Sequence, residues 1–281
     1  MIIYPSAFVA SAAAAGVPLT QARIGYQTWL RDLDATAVTV STEDADAPAD
    51  APLRPDTGEY WAPTALPATW EVNLGAARSI DYVGIAGHTI GSCGCAVLVE
   101  WSDGSVAGSP AELVWTTFAA EVNPGDDAPL LFLDDAVTAS YLRITLSAGG
   151  ATMPRVASIY AGVALAMTRP IYGGHVPITL SRVTALHNTL SNGGQFLGQA
   201  FKRLGVQTAA SFKHLDPTWV RTDFDLFVKA ARRFPYFFAW RPADWPLEVG
   251  YVWSDKDIAP SNMGQREFMQ VSWKMSGIGN E

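Results

Sequence analysis

Carboxylates stand side by side at Asp126-Asp127, Asp134-Asp135 and Asp255-x-Asp257. Two carboxyl groups flanking a glycosidic bond are what glycoside hydrolysis needs, one to protonate the leaving oxygen and one to attack or to activate water. Adjacent carboxylates on a strand point to opposite faces, however, and such pairs are ordinary in solvated turns, so these read as turn residues. The chain holds no G-x-S-x-G elbow, no H-E-x-x-H, no G-x-x-x-x-G-K-(S/T) loop and no dinucleotide fingerprint. No enzymatic activity is expected.

Asp44, Asp46, Asp50 and Asp56 offer the hard oxygen ligands that Ca²⁺ takes, but without EF-hand spacing or a fixed glycine. A solvated acidic loop is the plainer reading, with structural calcium as the alternative and no other cofactor expected. Cys93 and Cys95 are too close in sequence to close a useful loop, and His88, His175, His187 and His214 are scattered, so neither a disulfide nor a zinc site is expected.

Aromatic residues carry a stronger signal, because the apolar face of a sugar stacks on an indole or phenol ring while nearby polar groups fix its hydroxyls. Trp29, Tyr60, Trp61 and His88 fall in or beside inferred loops and are the candidate glycan-contacting residues; the competing reading has Trp29 and Trp61 plugging the ends of a core. Farther on, Trp240, Trp245 and Trp253 lie among prolines and, with Arg233 at a basic helix end, are candidates for a subunit interface, where Trp and Arg concentrate. Core packing explains the tryptophans equally well, and the helix macrodipole explains the basic end.

The elements that position these residues are mostly strands. Thr36–Thr42 is β-branched and is followed by the aperiodic, acidic loop Glu43–Pro55. Trp70, Val72 and Leu74 share one face by alternation; a turn at Gly75–Arg78 then leads to a second strand, Ile80–Ile85. Ala96–Trp101 ends at Ser-Asp-Gly104 and is read as a hairpin with Glu112–Thr116. Tyr141–Leu146 alternates again, with Leu142, Ile144 and Leu146 opposite Tyr141, Arg143 and Thr145. Short, spaced strands without a helix between them indicate a β-sandwich.

The composition agrees. With 281 residues, 49% hydrophobic and 16% charged, the chain can bury two medium cores, which excludes disorder and a coiled-coil rod. The apolar run from Ala7 to Val17 is too short to span a membrane, and Lys and Arg are absent before Arg23, so no export signal is expected. Residues 1–165 carry 18 acids, 6 arginines and no lysine, a net charge of −12, whereas the rest carries 13 basic and 9 acidic groups, a net charge of +4. The acidic half disfavours a nucleic-acid backbone, and the scattered excess in the other half is not a DNA footprint.

The series Ala35–Thr42, Tyr60-Trp61, Thr69-Trp-Glu-Val-Asn-Leu-Gly75, Ile80–Val83, Tyr141-Leu-Arg-Ile144 and Ile159-Tyr-Ala-Gly162 resembles the discoidin family. The resemblance implies a galactose-binding-like jelly-roll β-sandwich over residues 20–165, preceded by an extension over 1–19, and binding of sugars, lipids or proteins by loops at one end. The cysteine pair that often closes extracellular members is missing.

The second half, 166–281, opens at the Met167-Thr-Arg-Pro170 junction. Pro177–Val183 and Phe196–Phe212 alternate or run apolar, the latter bent at Gly198 and Gly205. One helix is expected near 222–234, capped by Thr222-x-x-Asp225, with Phe224, Phe227, Val228 and Ala231 on one face and Pro235 as the stop. Strands follow at Tyr236–Trp240, Val249–Trp253 and Phe268–Met275, which makes this half a β-rich α+β domain. Pro235-Tyr-Phe-Phe-Ala-Trp-Arg-Pro242, Trp245-Pro246, Gly250-Tyr-Val-Trp-Ser254 and the final strand are similar to tail-tip proteins of long-tailed bacteriophages, the distal-tail and minor-tail proteins. That resemblance implies a virion protein at the tail tip. It implies a homo-oligomeric ring, hexameric or else trimeric, between the tail tube and baseplate hub proteins, with the sandwich outward toward host surface glycans or neighbouring tail proteins. A stand-alone lectin-like carbohydrate-binding protein is the alternative from another class.

Overall fold

The structure, a computed structural model, describes residues 1–147, 149–150, 152–264 and 267–279. The protein is mainly β, as expected. In the first half the strands are β1 (Ile2–Ile3), β2 (Arg23–Gly25), β3 (Val38–Val40), β4 (Ala68–His88), β5 (Val97–Ser102), β6 (Val106–Ala107), β7 (Glu112–Leu113), β8 (Thr116–Val122), β9 (Leu130–Leu146) and β10 (Val156–Gly162). The second half contributes β11 (Leu165–Ala166), β12 (Arg182–Leu190), β13 (Phe196–Leu215), β14 (Tyr236–Ala239), β15 (Val249–Ser254), β16 (Ser261–Asn262) and β17 (Met269–Gly279).

Two long strands make the sandwich. Trp70, Val72 and Leu74 point inward on β4 while Glu71 and Asn73 face out, the period-two pattern of a half-buried strand. The early part of β4 pairs with β3 and with the late part of β9, which in turn pairs with β5, and β5 with β8, forming the front layer. The late part of β4 pairs with the early part of β9 and with β10, and β1 adds in parallel beside β9, forming the back layer. Between the layers lies a core that includes Trp61, Trp70, Ile80, Val99, Phe118, Phe132 and Ile144.

The turn expected at Gly75–Arg78 is instead a bulge inside one continuous strand. Gly75 takes φ +72°, its N–H is held by the Asn73 side chain at 2.9 Å, and the register with β9 shifts between Asn73 and Arg78. A glycine in the left-handed region kinks the strand without ending it. The expected hairpin of 96–101 with 112–116 is also corrected: β5 lies between β8 and β9, and Glu112–Leu113 pairs with Val106–Ala107.

The second sheet runs β11-β2-β14-β15-β17-β13-β12. It takes β2 from within the 20–165 stretch assigned to the sandwich by sequence. Within residues 1–19, β1 joins β9 and a helix, Ser6–Ala14, puts Phe8 and Ala12 into the junction. That helix falls in the run 7–17, to which sequence reading gave no structure.

The other helix is longer than expected. It spans 217–231 with a π-turn stretch at Val220–Phe224, and it starts at Asp216, whose carboxylate accepts from the N–H groups of Thr218 and Trp219 at 2.8 Å. Pro217, with φ preset for the first helical turn, follows this cap, so the cap lies six residues ahead of the expected Thr222. Phe224 and Phe227 pack on Phe212, Tyr236 and Trp273 of the second sheet.

The second sheet's other face lies against the back layer of the sandwich, where Tyr82, Leu131 and Tyr160 meet Phe237, Val249 and Tyr251. The stack is therefore front layer, back layer, second sheet and helix. Strands β10 and β14 are buried along their whole lengths because each has a packed layer on both sides. A side chain at Gly84 would overlap the Phe237 ring. Gly84→Ala is expected to lower unfolding free energy by about 2–3 kcal/mol, while Gly58→Ala, where a Cβ would meet only Asp56 Oδ1 at an ordinary 3.8 Å contact, changes it by less than about 0.5 kcal/mol. Denaturant titration checks both, and a Gly84→Ala chain as stable as the parent would contradict the close junction.

Candidate functional site

The four candidate glycan residues do not form a site. Trp61 is fully buried in the sandwich core, and its indole donates to the Thr42 carbonyl at 3.2 Å. His88 is buried as well; Nε2–H donates to the Ala128 carbonyl at 2.8 Å and Nδ1 accepts from the Ile90 N–H at 3.3 Å. Neither presents a face to a ligand, which corrects the sequence reading for both. Trp61 is aromatic because it fills the core, as the competing reading had it, and His88 pins two backbone segments together.

Trp29 and Tyr60 are half-buried. Arg78 stacks over the Trp29 ring at 4.9 Å and the indole donates to Ser79 O at 2.8 Å; Arg155 stacks over Tyr60 at 4.6 Å. Each ring thus already carries a guanidinium on one face.

The carboxylates are occupied locally. Asp126 and Asp127 cap the N–H groups of Ala128 and Ser92, Asp134 accepts from the Asp135 N–H, and Asp135 holds Ser11 Oγ at 2.6 Å. Asp255 accepts from Ser276 Oγ at 2.8 Å and Asp257 pairs with Arg232 at 3.2 Å. In the acidic loop, Asp44 and Asp56 close turns on Asp46, Gly58 and Glu59, and Asp50 and Glu59 flank Arg54. Among the described residues no group of three or more metal-ligating side chains converges. Cys93 and Cys95 are free, buried thiols packed in the sandwich core.

The sandwich's front face carries a polar arrangement that was not singled out from sequence. Arg143 on β9 sits between Glu100 at 2.8 Å and Glu71 at 3.7 Å, on the neighbouring strands β5 and β4, and its guanidinium covers the Trp115 ring at 4.2 Å. Asn73 and Tyr141 lie one row along, 3.4 Å apart. The alternation in Tyr141–Leu146 was the available signal, since it put Arg143 and Tyr141 on the outward side.

The candidate interface residues lie on separate elements. Arg233 is exposed after the helix, Trp245 is exposed in the 240–248 turn, and Trp253 is exposed on β15. Trp240 is half-buried, with its indole donating to Glu248 and its ring 5.0 Å from that of His175, so it is chiefly a packing residue.

Large exposed apolar side chains gather elsewhere. Strand β12 pairs with β13 from Arg182 to Leu190, but β17 joins β13 only from Val206 onward. Residues 184–203 therefore form a two-stranded arm beyond the sheet. Leu186 opposes Phe201 and Leu190 opposes Phe196, with the Asn188–Gln199 side-chain hydrogen bond of 2.8 Å between the two pairs. Leu186, Asn188 and Leu190 share one face of β12 by alternation, with Phe201 and Gln199 opposite the first two, and a register shift between Thr189 and Leu190 skips Leu197 so that Phe196 lies opposite Leu190. Phe196 is 65% and Phe201 75% exposed. Sequence reading saw two apolar strands here and missed that, among the described residues, their large apolar side chains stay exposed.

No protein-family model matches the chain, and no curated protein matches it. Among solved structures, a GH29 fucosidase from Ruminococcus gnavus in complex with fucose is similar at 18% identity and a TM-score of 0.39, over 50% of this chain and 27% of that one. The chain thus spans about a quarter of the fucosidase. A chitosan-binding module 1 from the chitosanase/glucanase of Paenibacillus sp. IK-5 is similar at 17% identity and a TM-score of 0.40, over 49% of this chain and 99% of the module. CBM32 of AlyQ, in complex with 4,5-unsaturated mannuronic acid, is similar at 20% identity and a TM-score of 0.35, over 46% of this chain and 95% of that one. None of these three is a phage tail protein.

Burial holds the His88 imidazole neutral by pulling its pKa from 6.5 to about 4. Its folded pKa lies below the unfolded one, so the unfolded chain binds the proton first and stability falls as pH drops from 6.5 toward 4. A His88→Asn chain should lose that component, on the order of 3 kcal/mol, in the difference between urea unfolding at pH 7 and at pH 4. The same acid slope in both chains would contradict this placement.

Proposed function

We propose that this protein is a non-enzymatic structural subunit that self-associates through its second half, of the kind found at the tip of long phage tails, with the sandwich displayed outward. The observation that carries the reading is the 184–203 arm. A two-stranded ribbon alone is marginal in water, and this one exposes Leu186, Leu190, Phe196, Leu197 and Phe201. Each such side chain gains roughly 1.5–3 kcal/mol on full burial, so the arm is built to be covered. Exposed apolar side chains gathered on one arm in this way favour an interaction site.

In that setting the ring, six-fold or three-fold, sits between tail-tube and hub proteins, and the location is the virion. The sandwich's outward loops and front face are then free to meet host glycans.

A second reading, a stand-alone carbohydrate-binding protein, is favoured by one observation. Trp115 beside Arg143, Glu71 and Glu100 sets an aromatic ring next to charged hydrogen-bonding groups on an accessible sheet face, the chemistry that grips a sugar. The structures named above share that ligand class in their names.

Light scattering after size exclusion separates the two. The assembly reading expects a closed oligomer with a mass several times 30.1 kDa. A monomer that binds members of a glycan array, with binding lost in Trp115→Ala, would establish the second reading instead.

A further inference from the structure

We propose that a cleft in the second half, between the segment 169–172 and the bulged end of β13, binds a small organic anion: a carboxylate or phosphate group carried on a ring. The cleft is separate from the arm and from the front face of the sandwich. It goes beyond the assembly reading, because it needs no second copy of the chain.

The backbone builds it. Phe212 and Leu215 are both buried in the second core, three residues apart on β13, yet they pair with Val271 and Met269, which are two apart on β17. A bulge therefore sits at Lys213 and His214, and a bulge re-aims the side chains it carries. His214 takes φ +59°, the left-handed region that a residue with a side chain seldom adopts and that costs energy to hold. Its N–H reaches Met263 Sδ at 3.3 Å, its carbonyl accepts from Arg169 Nε–H at 3.3 Å, and its ring meets Phe268 edge-on with centroids 5.8 Å apart. The Tyr172 N–H donates to the Ser211 carbonyl at 2.7 Å, which fastens the 169–172 segment to β13.

The cleft has a volume of about 460 Å³, a size common among small-molecule sites. Arg169, Lys213 and the His214 imidazole line it together with the rings of Tyr172 and Phe268, and no Asp or Glu does. The Lys213 ammonium stands 3.8 Å from the Tyr172 ring centroid, and among the described residues neither it nor Arg169 pairs with a carboxylate. Asp216, two residues past His214, is already the acceptor for the helix N–H groups. The chain from Ala166 to Leu215 contains no acid at all.

Cations gathered in one cleft without an acid to offset them favour an anion. The planar fork of an arginine matches a carboxylate or a phosphate. Tyr172, 62% exposed, and Phe268 add apolar ring surface on which a sugar or another flat ring lies well. A bare ion would use the cations alone, so the aromatic pair selects a ligand with a body.

Ligand-observed NMR titrations of the full chain with galacturonate, a glucose phosphate, neutral galactose and inorganic phosphate test this. At least one of the two ring-bearing anions should bind at about 1 mM or tighter, and about ten-fold more tightly than galactose or inorganic phosphate. Whichever of the two binds better names the head group. Lys213→Met, which keeps the stem over Tyr172 and removes the charge, and Tyr172→Ala should each weaken that binding by about five-fold or more, with the melting temperature and the mass in solution unchanged. If Tyr172→Ala lowers the melting temperature, Lys213→Met alone decides. Inorganic phosphate binding as tightly as the sugar anions would make the cleft a plain anion site and overturn the proposal. Galactose binding equally well, neither anion binding, or binding that survives Lys213→Met would overturn it too.

Discussion

The ring of Phe237 lies where a side chain on Gly84 would have to be, and the ring of Tyr82 stands in the same relation to Gly25. Across this seam Tyr160, Phe237 and Tyr251 meet edge-on or tilted, with centroids 5.0–5.8 Å apart. Their polar ends are held too: Tyr82 donates to the Gln27 carbonyl, Tyr251 to that of Pro55 and Tyr160 to that of Pro235 at 3.1 Å. Aromatic rings packed this closely bury a large area and satisfy their hydroxyls at the rim. Arg31 spans the seam from the side, 3.6 Å above Phe234 and 5.6 Å from Tyr160.

Because the seam is wide and interlocked, the sandwich and the second sheet share one packed junction. The helix over 217–231 covers the far face of the second sheet, so the block has no large apolar face left to bury at that point. Among the described residues, the most exposed large apolar side chain is Phe201, on the arm.

Much of the framework was legible from alternation. Trp70, Val72 and Leu74 on β4, Leu142, Ile144 and Leu146 on β9, and Met269, Val271, Trp273 and Met275 on β17 all bury the faces that period-two spacing gives them. The failures have local causes. Gly75 read as a turn because glycine with positive φ is common there, yet the ladder to β9 carried the chain through it as a bulge. Asp216-Pro217 was the true helix start, hidden by a weaker cap one turn on. Strand β2 is three residues long and is held by a sheet assembled more than a hundred residues later, which no local pattern reports. For the candidate site, residue type misled: an aromatic or histidine beside an inferred loop can equally face inward, as Trp61 and His88 do. The arm was visible as apolar strands, but its exposure depends on β17 ending its pairing near Val206, a fact of tertiary register.

The central claim is that the arm is an interaction surface which the folded block holds ready and which assembly covers. Hydrogen exchange followed by mass spectrometry, at dilute and at concentrated protein, tests it most directly. The account predicts that amides of 184–203 exchange rapidly in dilute solution and become protected as concentration rises, while those of β10 and β14 stay protected throughout. Arm amides that exchange equally fast at both concentrations, in a sample whose mass has risen, would contradict it.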